Sequence, residues 1–256
     1  MIKFCRVILL ALLALLATTA CLAMAASLPP KEIVLRAYVD MDAQGRVTGM
    51  EWPRMDPKSK PLTDRLEAAV RRWEFEPGSV NGAPAATRTG LTLVVGAGRN
   101  AQGALTLSIL KAYPGAVTDQ MVIPRYPMEQ ARAGLTAALS LLLEVDEAGN
   151  VVDAAVTEYR LTGRGNGQLA KARAAFEAAS REAVMQWKFS PERVAGKALA
   201  SRVQVPIDFC MDSGPCRPRG DKNDKAEADA AILPSGTAVA LDSVVKIKMQ
   251  IGSVEI

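Results

Sequence analysis

Two cysteines, Cys210 and Cys216, stand close together in the second half of the sequence, separated by Met-Asp-Ser-Gly-Pro. In an oxidising compartment, a pair across a Gly-Pro turn is most simply a structural disulfide. Dithiol redox chemistry wants another spacing. A zinc site cannot be completed from these ligands, because the chain has no histidine and no second cysteine pair in this region. The missing histidine also excludes Ser-His-Asp, Cys-His and H-E-x-x-H constellations, and no G-x-S-x-G occurs. Asp40 with Asp42, and Glu144 with Asp146, are the carboxylate pairs that acid–base chemistry or calcium would need. Each lies beside a glycine turn, and there they read as turn residues. Gly163-Arg164-Gly165-Asn166-Gly167 lacks both the strand–turn–helix frame and the Lys-Ser/Thr of a phosphate cradle. Arg219-Gly220-Asp221 matches an adhesion tripeptide by chance. The sequence therefore predicts no catalytic residue, no cofactor and no metal. It reads as a non-enzyme.

The chain that carries these residues has 256 positions, 49% of them apolar and 23% charged, enough to bury a core. Its net charge is +4, with 31 basic residues scattered among 27 acidic ones, which is no footprint for nucleic acid. Residues 1–26 read as an export signal. Lys3 and Arg6 precede the apolar run Val7–Ala17, and Ala23-Met24-Ala25 offers a cleavage site before Ala26 or Ser27. The uncharged run from Val7 to Ala26 is also long enough for a membrane anchor, and Cys21 is a weaker candidate for lipidation. Each of these alternatives places the remainder outside the cytoplasm, periplasmic or secreted in the first case.

Past the signal, one spelling occurs twice: Trp73-Glu74-Phe75-Glu76-Pro77 and Trp187-Lys188-Phe189-Ser190-Pro191. Around each lies the same succession. A strand pair turns at Asp42–Gly45 in the first case and at Asp146–Gly149 in the second. An amphipathic helix follows, with Leu62, Leu66, Ala69, Val70 and Trp73 on one face, or Phe176, Ala179, Ala183, Val184 and Trp187. Pro77 and Pro191 read as the helix stops. Asn81-Gly82 and Gly196 turn the chain into the strands Leu91–Val95 and Val203–Phe209. The two Trp residues and the two glycines Gly82 and Gly196 share one offset, which supports an internal repeat. The expected organisation is a first unit at 31–98, a connector at 99–122, a second unit at 123–210, a disulfide turn and linker at 211–230, and a C-terminal strand segment at 231–256.

Taken in order, Tyr126-Pro127, Leu141–Asp146 with Gly149 and Val151, Ala183–Trp187, Phe189, Pro191, Gly196 and Val203–Phe209 resemble the TonB C-terminal domain family. The likeness covers about 123–209, and 34–95 is a shorter, weaker match. It implies an α+β fold: two small TonB C-terminal-like domains, each a short antiparallel sheet with a packed helix. In that family the last strand can add an extended peptide from an outer-membrane transporter plug by β-augmentation. Arg202, Val203, Gln204, Val205, Pro206, Ile207, Asp208 and Phe209 match that strand, and Pro206 within it fits an open edge. The implied partner is a protein or peptide of the envelope, and the module itself is periplasmic and protein-binding. Three departures count against an anchored transducer: the chain lacks histidine, a long Pro/Lys/Glu-rich spacer and an evidently retained anchor. An envelope assembly protein that self-associates, as a homodimer for example, is a third reading.

Overall fold

The computed structural model describes residues 31–99, 105–162, 169–211, 233–248 and 254–255. Residues 1–26, expected to be an export signal, the Gly-rich stretch 163–167, Cys216 and residues 217–230, expected to be a linker, lie outside the described residues. Alternating apolar and polar residues form β1 (Lys31–Met41), which returns through Asp42–Gly45 as β2 (Val47–Glu51). Helix α1 (Lys60–Val70) follows, then β3 (Phe75–Glu76), the small hairpin β4 (Ser79–Val80) and β5 (Ala83–Pro84), and the long β6 (Thr87–Arg99). The stretch read as a connector holds two strands, β7 (Leu105–Gly115) and β8 (Val117–Gln120). The second half runs through a short helix, α2 (Met128–Arg132), and then β9 (Thr136–Val145), β10 (Val151–Thr162) and α3 (Leu169–Val184). Next come β11 (Lys188–Ser190), the hairpin β12 (Arg193–Val194) and β13 (Lys197–Ala198), and β14 (Ser201–Phe209). The last described strands are short: β15 (Val239–Ala240), β16 (Lys246–Ile247) and β17 (Val254–Glu255). Mostly strand with three α-helices among the described residues, the chain is compatible with an α+β class.

Two antiparallel sheets carry the fold. One runs β2-β1-β6, and the far edge of β6 is covered by β7 along Gly90–Arg99 and by β12 at Thr87–Arg88. The other runs β10-β9-β14-β15. Each sheet has its own apolar cluster under its helix. Leu66, Val70, Trp73, Phe75, Leu91 and Leu93 pack in the first, and Leu141, Phe176, Val184, Trp187, Val205 and Phe209 in the second. The halves interlock. Hairpin β12-β13 belongs to the second half in sequence and to the first sheet in space, and β8 pairs with β11. A Cβ on Gly90 would meet Val117 Cγ1 at 2.4 Å, so β8 crosses the outer face of the first sheet in direct contact.

The W-x-F-x-P stretches are landmarks of another kind than helical spacing predicts. Helix α1 ends at Val70 and α3 at Val184, three residues before each Trp, so the prolines are not the stops. Tighter bonds close each helix: Trp73 N–H donates to Val70 C=O and Trp187 N–H to Val184 C=O, both at 3.0 Å. These i→i+3 bonds turn the Trp inward, where Trp73 is 5% and Trp187 1% exposed. The Phe of each stretch is a strand residue whose carbonyl lies against the hairpin glycine. A Cβ on Gly45 would lie 2.0 Å from Phe75 O, and one on Gly149 1.9 Å from Phe189 O. Both glycines also have positive φ, +77° and +81°. Only glycine satisfies both demands. Gly149→Ala is therefore expected to destabilise the protein by at least about 2 kcal/mol, from the left-handed backbone and the steric contact together. Urea unfolding measures this, and a loss under about 0.5 kcal/mol, the range of ordinary surface changes, would contradict it.

Candidate functional site

Strand β14 contains all eight residues singled out from the sequence, Arg202 to Phe209. Its odd positions fill the core: Val203 and Val205 are 0% exposed, Ile207 and Phe209 3%. Phe209 packs against Phe176 with centroids 4.8 Å apart and edge-on to Tyr126 at 5.6 Å. One edge of the strand is fully paired to β9, from Ser201↔Val145 to Phe209↔Ala137. The even positions address the opposite edge. That edge was expected to be open, and the structure corrects this: residues 235–242 lie along it. Leu241 N–H donates to Arg202 C=O (2.8 Å) and Gly236 N–H to Pro206 C=O (2.7 Å). Gln204 stands in register with Val239, Asp208 N–H donates to Ser235 Oγ (2.9 Å), and Arg202 N–H to the Asp242 carboxylate (3.0 Å). Pro206 fits this geometry. The N–H and C=O of one strand residue point to the same side, so its missing donor faces residues 235–242 and leaves the β9 ladder whole.

The covering segment continues as a strap over both sheets. Ala238 joins the second core and Val245 the first. Lys246 and Ile247 pair with Glu76 and Phe75 in β3, and Lys248 N–H donates to Glu74 C=O at 2.9 Å. Between these two anchorages sits Glu192, 3% exposed. Its Oε1 accepts from Thr89 Oγ1 (2.6 Å) and Ser243 Oγ (2.8 Å), and its Oε2 from Val244 N–H (3.1 Å). Thr89 Oγ1 in turn accepts from Gly115 N–H at 3.0 Å. One carboxylate thus joins the first sheet, the second half and the strap. No sequence pattern announces it, because a glutamate after Pro191 looks like any surface residue.

The other candidates separate. Cys210 lies just past β14, and Cys216 is outside the described residues. Asp42 and Asp146 are turn ligands. Asp42 Oδ1 accepts from the N–H groups of Gln44 and Arg46, and Asp146 Oδ1 from those of Ala148 and Asn150. The Arg46 backbone bond holds the Asp42 pKa below its ordinary value. For Asp146 the Asn150 side-chain bond is the main cause. Among the described residues no helix is long and apolar enough to cross a membrane.

No family model matches the chain. It is similar to Protein TonB of Xanthomonas campestris pv. campestris (strain B100), 32% identical over 89 residues, which is 35% of this chain and 35% of the relative. It is similar also to Protein TonB of Vibrio cholerae serotype O1, 30% identical over 111 residues, 43% of this chain and 41% of the relative. The chain thus spans about two fifths or less of the curated relatives it matches. Within it lies a TonB-like domain.

Two measurements follow from this geometry. Glu192→Ala leaves two hydroxyls and one N–H without their acceptor, and is expected to cost about 2–4 kcal/mol. In limited proteolysis the variant should be cut within 233–248 sooner than the parent; unchanged cleavage there would count against the tie. The two depressed aspartates stabilise the turns above the unfolded carboxylate value of about 3.9, and this contribution is lost as pH falls through their lower folded values. Asp146→Asn should accordingly flatten the acid limb of stability against pH, as read by thermal melts.

Proposed function

We propose that the protein is a periplasmic, TonB-like protein-binding module of the cell envelope, acting in TonB-type outer-membrane transport. Its β14 takes an extended peptide by strand addition. One observation carries this reading: the outer edge of β14 is served by a sparsely paired piece of the same chain. Among the described residues, the ladder there pairs Val203 and Gln204 with the two-residue β15. An incoming strand can supply the backbone donors that Leu241 and Gly236 now give to Arg202 and Pro206 and the pairing of β15, so strand exchange needs no new binding surface. The similarity to two TonB proteins supports the transport setting. We further read the two W-x-F-x-P units as copies of one ancestral domain, supported by the matching close contacts of Gly45 with Phe75 and of Gly149 with Phe189. Cys210 and Cys216 pair as a disulfide in the same proposal, closing the end of β14.

A covalent lock tests the exchange. In Gln204→Cys/Val239→Cys the two residues stand in register across β14 and β15. Peptides derived from transporter plugs should perturb the amide signals of 202–208 in the reduced protein. The oxidised protein should lose at least about tenfold in affinity, since the strap can no longer leave. Equal binding by the oxidised and reduced forms would eliminate strand exchange at β14.

A further inference from the structure

A second edge lies far from β14. Strand β1 is paired to β6 along its whole length, Lys31↔Ala97 to Met41↔Thr87. On its other side β2 reaches only as far as Tyr38, opposite Glu51. From Glu32 to Ala37 no described residue pairs with that side. The second sheet differs here, because β10 accompanies β9 from Val145 to Thr136. An unpaired run of strand with regular backbone presents N–H and C=O groups ready for another strand.

Beside this edge is a cavity of about 100 Å³, walled by β1, by Pro53–Met55 after β2, and by Val117–Asp119 of β8. Arg36 and Arg54 both line it. Arg36 Nε is sealed from solvent and has no hydrogen-bond partner, an arrangement that normally costs on the order of 1–3 kcal/mol or more. Arg54 is exposed at the rim. Burial first, and then the charge of Arg54, hold the Arg36 pKa below its ordinary value. The one carboxylate of the wall, Asp119, is engaged by the hydroxyls of Tyr38 and Ser190, and Tyr38 Oη lies 3.0 Å from Ser190 Oγ. Two cations therefore converge, one of them desolvated, with no described anion paired to either.

We propose that this corner docks an extended acidic peptide. Its backbone pairs with β1 between Glu32 and Ala37, and one of its carboxylates enters between Arg36 and Arg54. Side chains directly opposite on paired strands share a face, so the peptide residue in register with Arg36 points into the same cleft. A guanidinium fork holds a carboxylate by two parallel charged bonds, and the second arginine stops repelling once the anion is between them. The site is independent of β14 and stands whether or not the strap exchanges.

The test titrates isotope-labelled full chain with a capped Val-Glu-Val-Glu-Val peptide, its glutamine counterpart, acetate and inorganic phosphate. The acidic peptide should shift the backbone amides of 32–37 and the Nε–Hε signal of Arg36, saturably. Replacing glutamate by glutamine, or Arg54 by glutamine on the protein, should weaken binding by at least about tenfold, the effect of a lost charged pair. Arg54 is exposed at the rim, so Arg54→Gln removes a charge without disturbing buried side chains. Equal binding of the two peptides, or shifts confined to 202–208, overturns the proposal. Acetate or phosphate moving Arg36 as strongly per mole as the peptide overturns the peptide assignment, leaving a small-anion site.

Discussion

Glu192 is the point on which the arrangement depends. A carboxylate at 3% exposure is tolerable only when its oxygens are met by donors, and here three donors come from two distant places in sequence: Thr89, and the neighbours Ser243 and Val244. Apolar packing alone would leave the sheets free to slide, since hydrophobic contact is non-directional. Hydrogen bonds to a buried charge are directional. They fix where hairpin β12-β13 enters the first sheet and where the strap crosses between the cores.

The strap answers a problem common to open sheets. An unpaired edge invites other chains, and proteins blunt or cover such edges. On β6 the cover is long, with β7 in register over Gly90–Arg99. On β14 it is two ladder residues and a few further bonds, among them those through the side chains of Ser235 and Asp242. Such bonds net about 1 kcal/mol each, so the cover on β14 is held less strongly than that on β6. The difference between the two edges is one of degree of pairing.

Much of this was legible in the sequence. The hairpins were, because a positive-φ glycine after an Asp-led turn is a local demand; so were the helices, by their period, and the Trp residues as core. The Trp positions were read as helical because one apolar face continued through residue 73, whereas the backbone had already tightened at Val70. What no local pattern carried was pairing over distance. Lys246 and Ile247 were readable as a strand but not as the partner of Phe75, and Glu192 had no signature at all. The open edge was misjudged for the same reason: β14 looks like an edge, and its cover lies thirty-odd positions downstream, beyond a polar linker. Arg36 and Arg54 are unremarkable in sequence, and only the short β2 brings them to one cleft.

The crossing of the strap has a temporal consequence. Synthesis delivers residue 75 long before residue 247, yet β3 finds its partner in Ile247 and the first core takes in Val245. The half that emerges first is thus the half that is finished last. Until the C-terminus arrives, β3 lacks its partner strand and the outer edge of β14 is uncovered, and such long-range closure is slow because the loop entropy precedes the reward. A nascent chain of this kind waits for its own end.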